Sequence, residues 1–270
     1  MKYYLYNPLA NNGILKYNIG AELIDASKLD YAEFFQGLKD EDEVVLVGGD
    51  GTINYLINHV DTDSLKNNVY LYGNGTGNDF LYDIGDTPGH EVLLNRYLKN
   101  LPVARVNGKE YRFINNMSFG IDGYCCEEAD RIKAGKPNKK INYTAIAIKG
   151  LLYAFKPCTA WIEVDGREYT YDNVWLAPSM KGRYCGGGMM LAPGQDRFSG
   201  KLTVVVYSCP SKMKSLARFP RIFKGTHVEL TDMVKIIEGN RVYVKFSRPC
   251  AVQIDGETIL DVTEYSAEQK

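Results

Sequence analysis

The feature that most constrains the fold is a strand-like run that stops at glycines and then becomes helical. Residues 44–58 read VVLVGGDGTINYLIN, so aliphatic residues give way to the loop GGDGT at residues 48–52. The next residues place apolar side chains at positions i, i+3, i+4 and i+7, on one face of a helix; they are Ile53, Leu56, Ile57 and Val60. We therefore predict a buried strand, a tight glycine loop and an amphipathic helix that Thr52 caps.

A second segment repeats this plan. Residues 69–80 read VYLYGNGTGNDF, again an apolar run that enters a glycine-rich loop, and the first strand-like run, KYYLYNP, ends at Asn7 and Pro8. In a parallel sheet these strand ends lie at one edge, where open α/β sheets bind ligands, and backbone N–H groups at a helix start favour phosphate. The three strand ends therefore predict a triphosphate site. The pentapeptide GGDGT by itself also fits an ordinary tight turn.

The pattern of predicted elements changes near residues 101–106. Before it, strand-like and helix-like segments alternate, which is typical of an α/β domain with a mostly parallel sheet. After it, period-two alternation and hairpin signals such as Asp165-Gly166 indicate antiparallel strands. We predict an N-terminal α/β domain over residues 1–104 and a second, mainly antiparallel β-sandwich domain over residues 105–257. Residues 258–270 are a candidate completion of the first domain.

Charge and composition argue against several classes of protein. The chain has 32 basic and 33 acidic residues and a net charge of -1, so we expect no nucleic-acid partner. The six cysteines show no C-x-x-C spacing and the three histidines are far apart, so we expect no zinc site. The glycine loops match neither the Walker pattern nor G-x-G-x-x-G.

The sequence also gives an expectation about location. We find no signal-peptide pattern at the start, and the most apolar long stretch, residues 143–155, contains Lys149 and is shorter than the roughly 20 residues of a spanning helix. We therefore expect a cytoplasmic protein. Two basic segments, residues 131–140 and 211–224, each fit either a solvated surface or contact with an anionic membrane.

The ordered motifs resemble those of a known family. NPLANNG near the start, GGDGTIN and then GTGNDF look like the diacylglycerol kinase catalytic-domain family, which includes bacterial lipid kinases and sphingosine kinases. GGDGT alone is shared with NAD kinases, whereas the ordered set is much more specific. The resemblance covers nearly the whole chain, because it continues through FINNMSFGIDG (113–123), GGGMMLAPGQDRFSGKLTVVV (186–206), GTHVEL (225–230) and QIDGE (253–257).

The resemblance implies ATP- and Mg²⁺-dependent phosphorylation of the hydroxyl of diacylglycerol or a related lipid. It implies a nucleotide domain like that of NAD kinase and phosphofructokinase, a β-rich substrate domain and an active site in the cleft between them. By analogy with small relatives it also implies a homodimer. From the two basic segments we expect a peripheral enzyme at the inner membrane face. The residues that would hold ATP are Asn7, Gly48, Gly49, Asp50, Gly51, Thr52, Gly75, Thr76, Gly77 and Asn78.

The same resemblance assigns roles to four acidic residues. Asp50 and Asp79 would serve the metal and the phosphates, with Asp50 also counted as catalytic. Asp255, supported by Glu257, resembles the general base of the family. Asp255-Gly256 is also a strong hairpin signal, so a turn role for Asp255 stays open.

Three positions depart from the family pattern. Tyr55, Pro102 and Ser199 stand where the family commonly has carboxylates: a Glu after GGDGT, an Asp near the V-N-G stretch and the Asp of D-G-x-L. A structural Mg²⁺ is therefore not expected at Ser199. These departures leave a non-catalytic nucleotide-binding regulator open as an alternative to a lipid kinase. A NAD kinase is a second alternative, because it shares the first glycine loop and the two-domain plan.

Overall fold

The computed structural model describes residues 1–8, 14–136 and 141–269. Residues 9–13 of the NPLANNG motif, residues 137–140 of the first basic segment and residue 270 lie outside the described residues. The chain forms two compact units, Met1–Leu101 and Pro102–Lys270. The elements of the first unit are β1 (Lys2–Tyr6), β2 (Leu23–Asp25), α1 (Tyr31–Gln36), β3 (Glu43–Gly48), α2 (Asp50–His59), β4 (Asn68–Gly73), α3 (Asp79–Ile84), β5 (Glu91–Leu93) and 3₁₀ segments (Ala26–Lys28 and Asn95–Tyr97).

The first unit is built on a five-stranded sheet in the order β2-β1-β3-β4-β5. All neighbouring strands are parallel except β4 and β5, which are antiparallel. The central strand β3 is buried from Val44 to Val47, as expected for a parallel strand covered on both faces. On α2 the residues Ile53, Leu56 and Ile57 are buried. The predicted α/β fold is confirmed, and so are three of the four residues predicted for the apolar face of α2. The fourth, Val60, was wrong, because α2 ends at His59 and Val60 has extended backbone.

The second unit contains the remaining strands and helices. Its elements are β6 (Val103–Val106), β7 (Lys109–Arg112), β8 (Asn116–Phe119), α4 (Ile121–Gly135), α5 (Tyr143–Lys149), a π-helical turn (Gly150–Ala154), β9 (Cys158–Val164), β10 (Arg167–Leu176), β11 (Ser179–Met180), β12 (Tyr184–Cys185), β13 (Met189–Met190), β14 (Leu202–Ser208), α6 (Lys212–Arg218), 3₁₀ segments (Phe219–Lys224 and Thr226–Glu229), β15 (Val234–Gly239), β16 (Arg241–Ile254) and β17 (Glu257–Glu268).

Ten of these strands form one antiparallel sheet, which confirms the predicted β-rich second domain. The long strand β16 joins two ends of this sheet, because its first half pairs with β9 and its second half pairs with β8. One large apolar cluster lies within this sheet, with Phe113, Phe119 and Val252 among its fully buried members. A second buried cluster joins residues of the helices to the sheet, such as Ile121 of α4 and Val205 of β14. The second unit therefore has more than one apolar cluster.

Two Asp-Gly hairpins occur where the sequence indicates them. Asp165 and Gly166 connect β9 to β10 with φ angles of 49° and 80°, and Asp255 and Gly256 connect β16 to β17 with φ angles of 47° and 95°. Positive φ at both central residues is the requirement of a type I′ turn. Because β17 pairs with β16 and β6, residues 258–268 belong to the second unit and do not complete the first.

None of the helices within the described ranges combines the length and the apolar character of a membrane span. The apolar stretch 143–155 is divided between α5 and the π-helical turn that follows it.

Candidate active site

Three strand ends of the first unit meet at one edge of the sheet. Strands β1, β3 and β4 are parallel neighbours, and Asn7, the loop 48–52 and the loop 73–78 follow their carboxyl ends. The two glycine loops are joined by backbone hydrogen bonds, since the N–H groups of Asn74 and Gly75 donate to Gly48 O over 2.7 and 3.0 Å. The structure therefore brings together the loops that the sequence predicts to bind nucleotide.

The glycines at the contact are required because the two loops touch. A Cβ on Gly49 would lie 2.8 Å from Gly75 Cα and 3.0 Å from Gly77 O. A Cβ on Gly75 would lie 2.6 Å from Gly49 Cα. Distances this short force the backbone to move. From the sequence, we expect these glycines to let phosphate approach the backbone. The structure shows a second reason for two of them, because Gly49 and Gly75 lie too close together for either to carry a side chain.

We expect Gly49→Ala to lower the free energy of unfolding by about 1–3 kcal/mol, because the new methyl group overpacks the contact with Gly75. Gly77→Ala is the matched control, since a Cβ there meets only Asp50 Oδ2, at an ordinary 3.4 Å. Urea unfolding of both variants measures the difference. Equal stability of the two variants would show that the loops separate at no cost.

Asp50 connects the starts of two helices. Its Oδ2 accepts a hydrogen bond from Asp79 N and its Oδ1 accepts one from Phe80 N, both over 3.0 Å. The carboxylate therefore fixes the first turn of α3 relative to the first turn of α2. The expectation that Thr52 caps α2 was wrong, because Gly49 is the N-cap and Thr52 is buried one position beyond Gly51.

Asn78 provides the observation that bears most directly on a ligand. The residue is 7% exposed, and within the described part of the chain its side-chain Oδ1 has no hydrogen-bond partner. Buried polar atoms are nearly always satisfied, so a buried acceptor of this kind indicates a missing donor or cation. The neighbouring side chain, Asp79, is also buried. This arrangement of oxygen atoms suits Mg²⁺ or a hydrogen-bonding group of a nucleotide.

No group of three or more His, Cys, Asp or Glu side chains in the described ranges is placed to hold a metal. This finding is compatible with Mg²⁺, because that ion is usually held by one or two carboxylates together with water and substrate phosphates. The residues of these loops therefore fit the predicted cofactor. The metal-binding roles of Asp50 and Asp79 stay predictions.

Lys16 is a contributor that the sequence did not reveal. Its Nζ donates to Gly75 O over 2.6 Å, and its backbone N–H donates to Asn74 Oδ1 over 2.8 Å. Asn74 in turn donates to Ile14 O over 3.1 Å. A cation thus lies directly on the second glycine loop, where it favours an anionic ligand. No local motif marks this lysine, because its contact spans 59 residues of sequence.

In the second unit, Asp255 is held by three consecutive backbone amides. Its Oδ2 accepts from Ile114 N over 2.7 Å, and its Oδ1 accepts from Asn115 N and Asn116 N over 2.8 and 3.0 Å. The residue is 8% exposed. Asp255 is therefore a turn residue, as one interpretation of the sequence held, and also a carboxylate fixed in one orientation. The catalytic role remains a prediction.

Glu257 lies at the start of β17, beside α4. Partial loss of hydration, followed by the negative charge of Asp130, raises the pKa of Glu257, whereas Lys133 acts in the opposite direction. Asp130 also accepts a hydrogen bond from Thr258 Oγ1 over 2.7 Å, so α4 is tied to this strand. A raised pKa lies closer to pH 7 and gives the carboxylate a higher affinity for a proton, which makes proton transfer to it more effective.

The three departures from the family pattern have different surroundings. Tyr55 packs edge-on against Tyr31, with ring centroids 4.8 Å apart, and stacks on His59 at 3.8 Å. Pro102 is buried at the start of the second unit, and Ser199 lies in an exposed turn. None of these three side chains supplies the carboxylate that the family pattern would place there.

Comparisons with known proteins agree with this architecture. Residues 14–103 match the model of the diacylglycerol kinase catalytic domain. Residues 115–266, more than half of the chain, match the model of the YegS C-terminal NAD kinase beta sandwich-like domain. The chain is 27% identical over 235 residues to a diacylglycerol kinase of Mycobacterium tuberculosis (strain CDC 1551 / Oshkosh), which covers 84% of this chain and 73% of that protein.

Two solved structures from Bacillus anthracis strain Sterne share the fold. One superposes with a TM-score of 0.68 at 19% identity and covers 99% of this chain and 91% of its own. The other, a diacylglycerol kinase, superposes with a TM-score of 0.63 at 17% identity and covers 99% of this chain and 93% of its own. The chain therefore belongs to the diacylglycerol kinase family of phosphotransferases, which use an alcohol group as acceptor.

Proposed function

We propose that this enzyme transfers the γ-phosphoryl group of ATP, with Mg²⁺, to the hydroxyl of diacylglycerol or a related lipid. The observation that carries this proposal is the contact between the two glycine loops at the carboxyl ends of β3 and β4, beside the buried oxygen of Asn78. Phosphoryl transfer depends on positioning and charge stabilisation more than on covalent chemistry by the protein. Loops that present backbone amides at a helix start suit that task.

Each part of the first unit receives a role in this proposal. Backbone amides of the loops 48–52 and 75–78, together with Asn7, bind the phosphates, and Lys16 adds positive charge at the second loop. Asp50, Asn78 and Asp79 are the residues that would hold Mg²⁺. When bound, that ion neutralises the charge that develops on the phosphoryl oxygens.

The second unit supplies the base in this proposal. Asp255 accepts the proton of the acceptor hydroxyl, and Glu257 supports it. Three backbone donors keep the Asp255 carboxylate in one position, which favours a fixed approach to the alcohol. A base of this kind typically contributes about 10²- to 10⁴-fold in rate.

A phosphoryl-transfer assay separates the proposal from its two alternatives. Wild-type protein is incubated with γ-labelled ATP, Mg²⁺ and either dispersed diacylglycerol or NAD. We expect label in the lipid product. Label in NADP would instead identify a NAD kinase, and ATP binding with label in neither product would identify a nucleotide-binding regulator.

We also propose that the second unit contacts an anionic membrane surface. The second basic segment, residues 211–224, contains α6, whose Lys212 Nζ donates to Leu152 O of the π-helical turn over 3.3 Å. Two apolar side chains next to these residues in the sequence are largely exposed: Tyr153, which follows Leu152, is 78% exposed, and Met213, which follows Lys212, is 68% exposed. Exposed apolar side chains among lysines are typical of surfaces that bind the headgroup region.

We expect replacement of Lys212 and Lys224 by Gln to weaken binding to anionic vesicles by about tenfold or more, since each basic residue contributes about 1 kcal/mol. Sedimentation with vesicles that contain phosphatidylglycerol measures this, and high salt should weaken wild-type binding. Lys28→Gln, at an 80% exposed lysine of the first unit, is the control. Equal binding by both variants would contradict the proposed surface.

A further inference from the structure

The segment 114–116 determines where the Asp255 carboxylate points. Its three consecutive N–H groups all donate to that carboxylate, over 2.7, 2.8 and 3.0 Å. Asp255 N returns a bond to Asn116 O over 3.0 Å. Any movement of this segment therefore moves the carboxylate, so the groups that hold the segment are relevant to the proposed base.

The carbonyl side of the segment is held by Arg197, in the loop that precedes β14, and by the two residues that follow β11. Arg197 donates from Nη1 to Ile114 O over 2.5 Å and from Nη2 to Asn115 Oδ1 over 3.1 Å. Asn115 O accepts from the backbone N–H groups of Lys181 and Gly182 over 2.8 and 2.9 Å. Arg197 is 6% exposed, so its charge acts in a site largely shielded from water.

One peptide group connects the two charges. The carbonyl of Ile114 accepts from the guanidinium of Arg197, and the N–H of the same peptide unit, on Asn115, donates to Asp255 Oδ1. A cation at the oxygen polarises the amide, which strengthens the bond that its N–H donates. The forked guanidinium group of Arg197 also restricts rotation of the segment, because its two nitrogens donate to two acceptors at once, Ile114 O and Asn115 Oδ1.

We infer that Arg197 is a positioning residue that fixes and polarises the amides that hold Asp255. This inference rests on the proposed function, because Asp255 matters for rate only if it is the base. Arg197 lies 58 residues before Asp255 in the sequence, and it is not among the residues that the motifs assign to the site.

The test is a double-mutant cycle with Arg197→Met, Asp255→Asn and the double variant. We expect Arg197→Met alone to lower kcat by about 10- to 100-fold, as removal of an orienting partner typically does. The KM for ATP should stay within about twofold, because ATP is assigned to the first unit. In the Asp255→Asn background the same substitution should change kcat little, since the partner through which it acts is already lost.

Two further variants keep the result interpretable. Arg197→Lys retains the cation without the fork and should recover part of the lost kcat. Lys149→Met removes a cation of the same unit that makes no bond with segment 114–116, since its Nζ donates to Glu128 Oε1 over 3.0 Å, and its effects should be additive with Asp255→Asn. Additive losses of kcat for Arg197→Met and Asp255→Asn would overturn the inference.

Urea unfolding of the same proteins tests the coupling between Arg197 and Asp255 without an activity assay. Arg197→Met and Asp255→Asn should be non-additive in the free energy of unfolding, whereas Lys149→Met and Asp255→Asn should be additive. If wild-type protein transfers no phosphate to lipid, the proposed function fails, and additive unfolding energies for the Arg197 cycle would separately refute the coupling.

Discussion

Asp255→Asn is expected to lower kcat by about 10²-fold or more, because the amide cannot accept the proton of the acceptor hydroxyl. The variant also places an NH₂ group where a carboxylate oxygen now accepts from backbone N–H groups, so the free energy of unfolding should fall by about 1–3 kcal/mol. Initial rates of lipid phosphorylation, measured well below the unfolding temperature, give kcat and KM. The KM for ATP should change little.

The chain itself contains a matched control for this variant. Asp165 occupies the same position of an Asp-Gly turn, and its carboxylate likewise accepts from backbone amides, those of Asn240 and Arg241, over 2.8 to 3.1 Å. Asp165→Asn should therefore lower stability without lowering kcat. If both variants lose activity in proportion to stability, Asp255 is only a turn residue.

Asp50→Asn is expected to lower the rate of transfer by about 10²-fold, the effect typical of disturbing a metal site or its supporting groups. The variant loses the charge of a proposed Mg²⁺ ligand and one of the two acceptors that hold the start of α3. Initial rates over a range of Mg²⁺ concentrations measure the effect, and more Mg²⁺ should be needed to reach half of the maximal rate.

Asp30→Asn provides the comparison for Asp50→Asn. Asp30 caps α1, a helix of the same length as α3, and its Oδ1 accepts from Glu33 N over 3.0 Å. Because Asn is an equally good cap, this variant should keep both its stability and its turnover. Wild-type turnover by Asp50→Asn would remove Asp50 from the mechanism.

The parts of the fold that the sequence predicted are those specified by local patterns. Alternating and continuous apolar runs predicted the strands, and the spacing of Ile53, Leu56 and Ile57 predicted the buried face of α2. The two Asp-Gly pairs predicted hairpins, since few other residues tolerate positive φ there. By contrast, the placement of residues 258–268 depends on pairing with β6, far earlier in the chain, which no local pattern reveals.

The same division applies to the candidate site. Motifs predicted the two glycine loops, and the structure places them in contact. Lys16 and Arg197 were missed because each acts through a backbone carbonyl distant in sequence, and such contacts leave no spacing to recognise. Two physical reasons favour glycine in these loops: phosphate must approach the backbone, and Gly49 must lie against Gly75. The distances between the loops show the second reason directly.

Hydrogen exchange measured with and without a non-hydrolysable ATP analogue and Mg²⁺ tests the central claim most directly. If backbone amides of the two glycine loops bind the phosphates, exchange should slow in peptides that cover residues 48–52 and 73–79. Slower exchange elsewhere at saturating analogue, with both loops unchanged, would contradict the account.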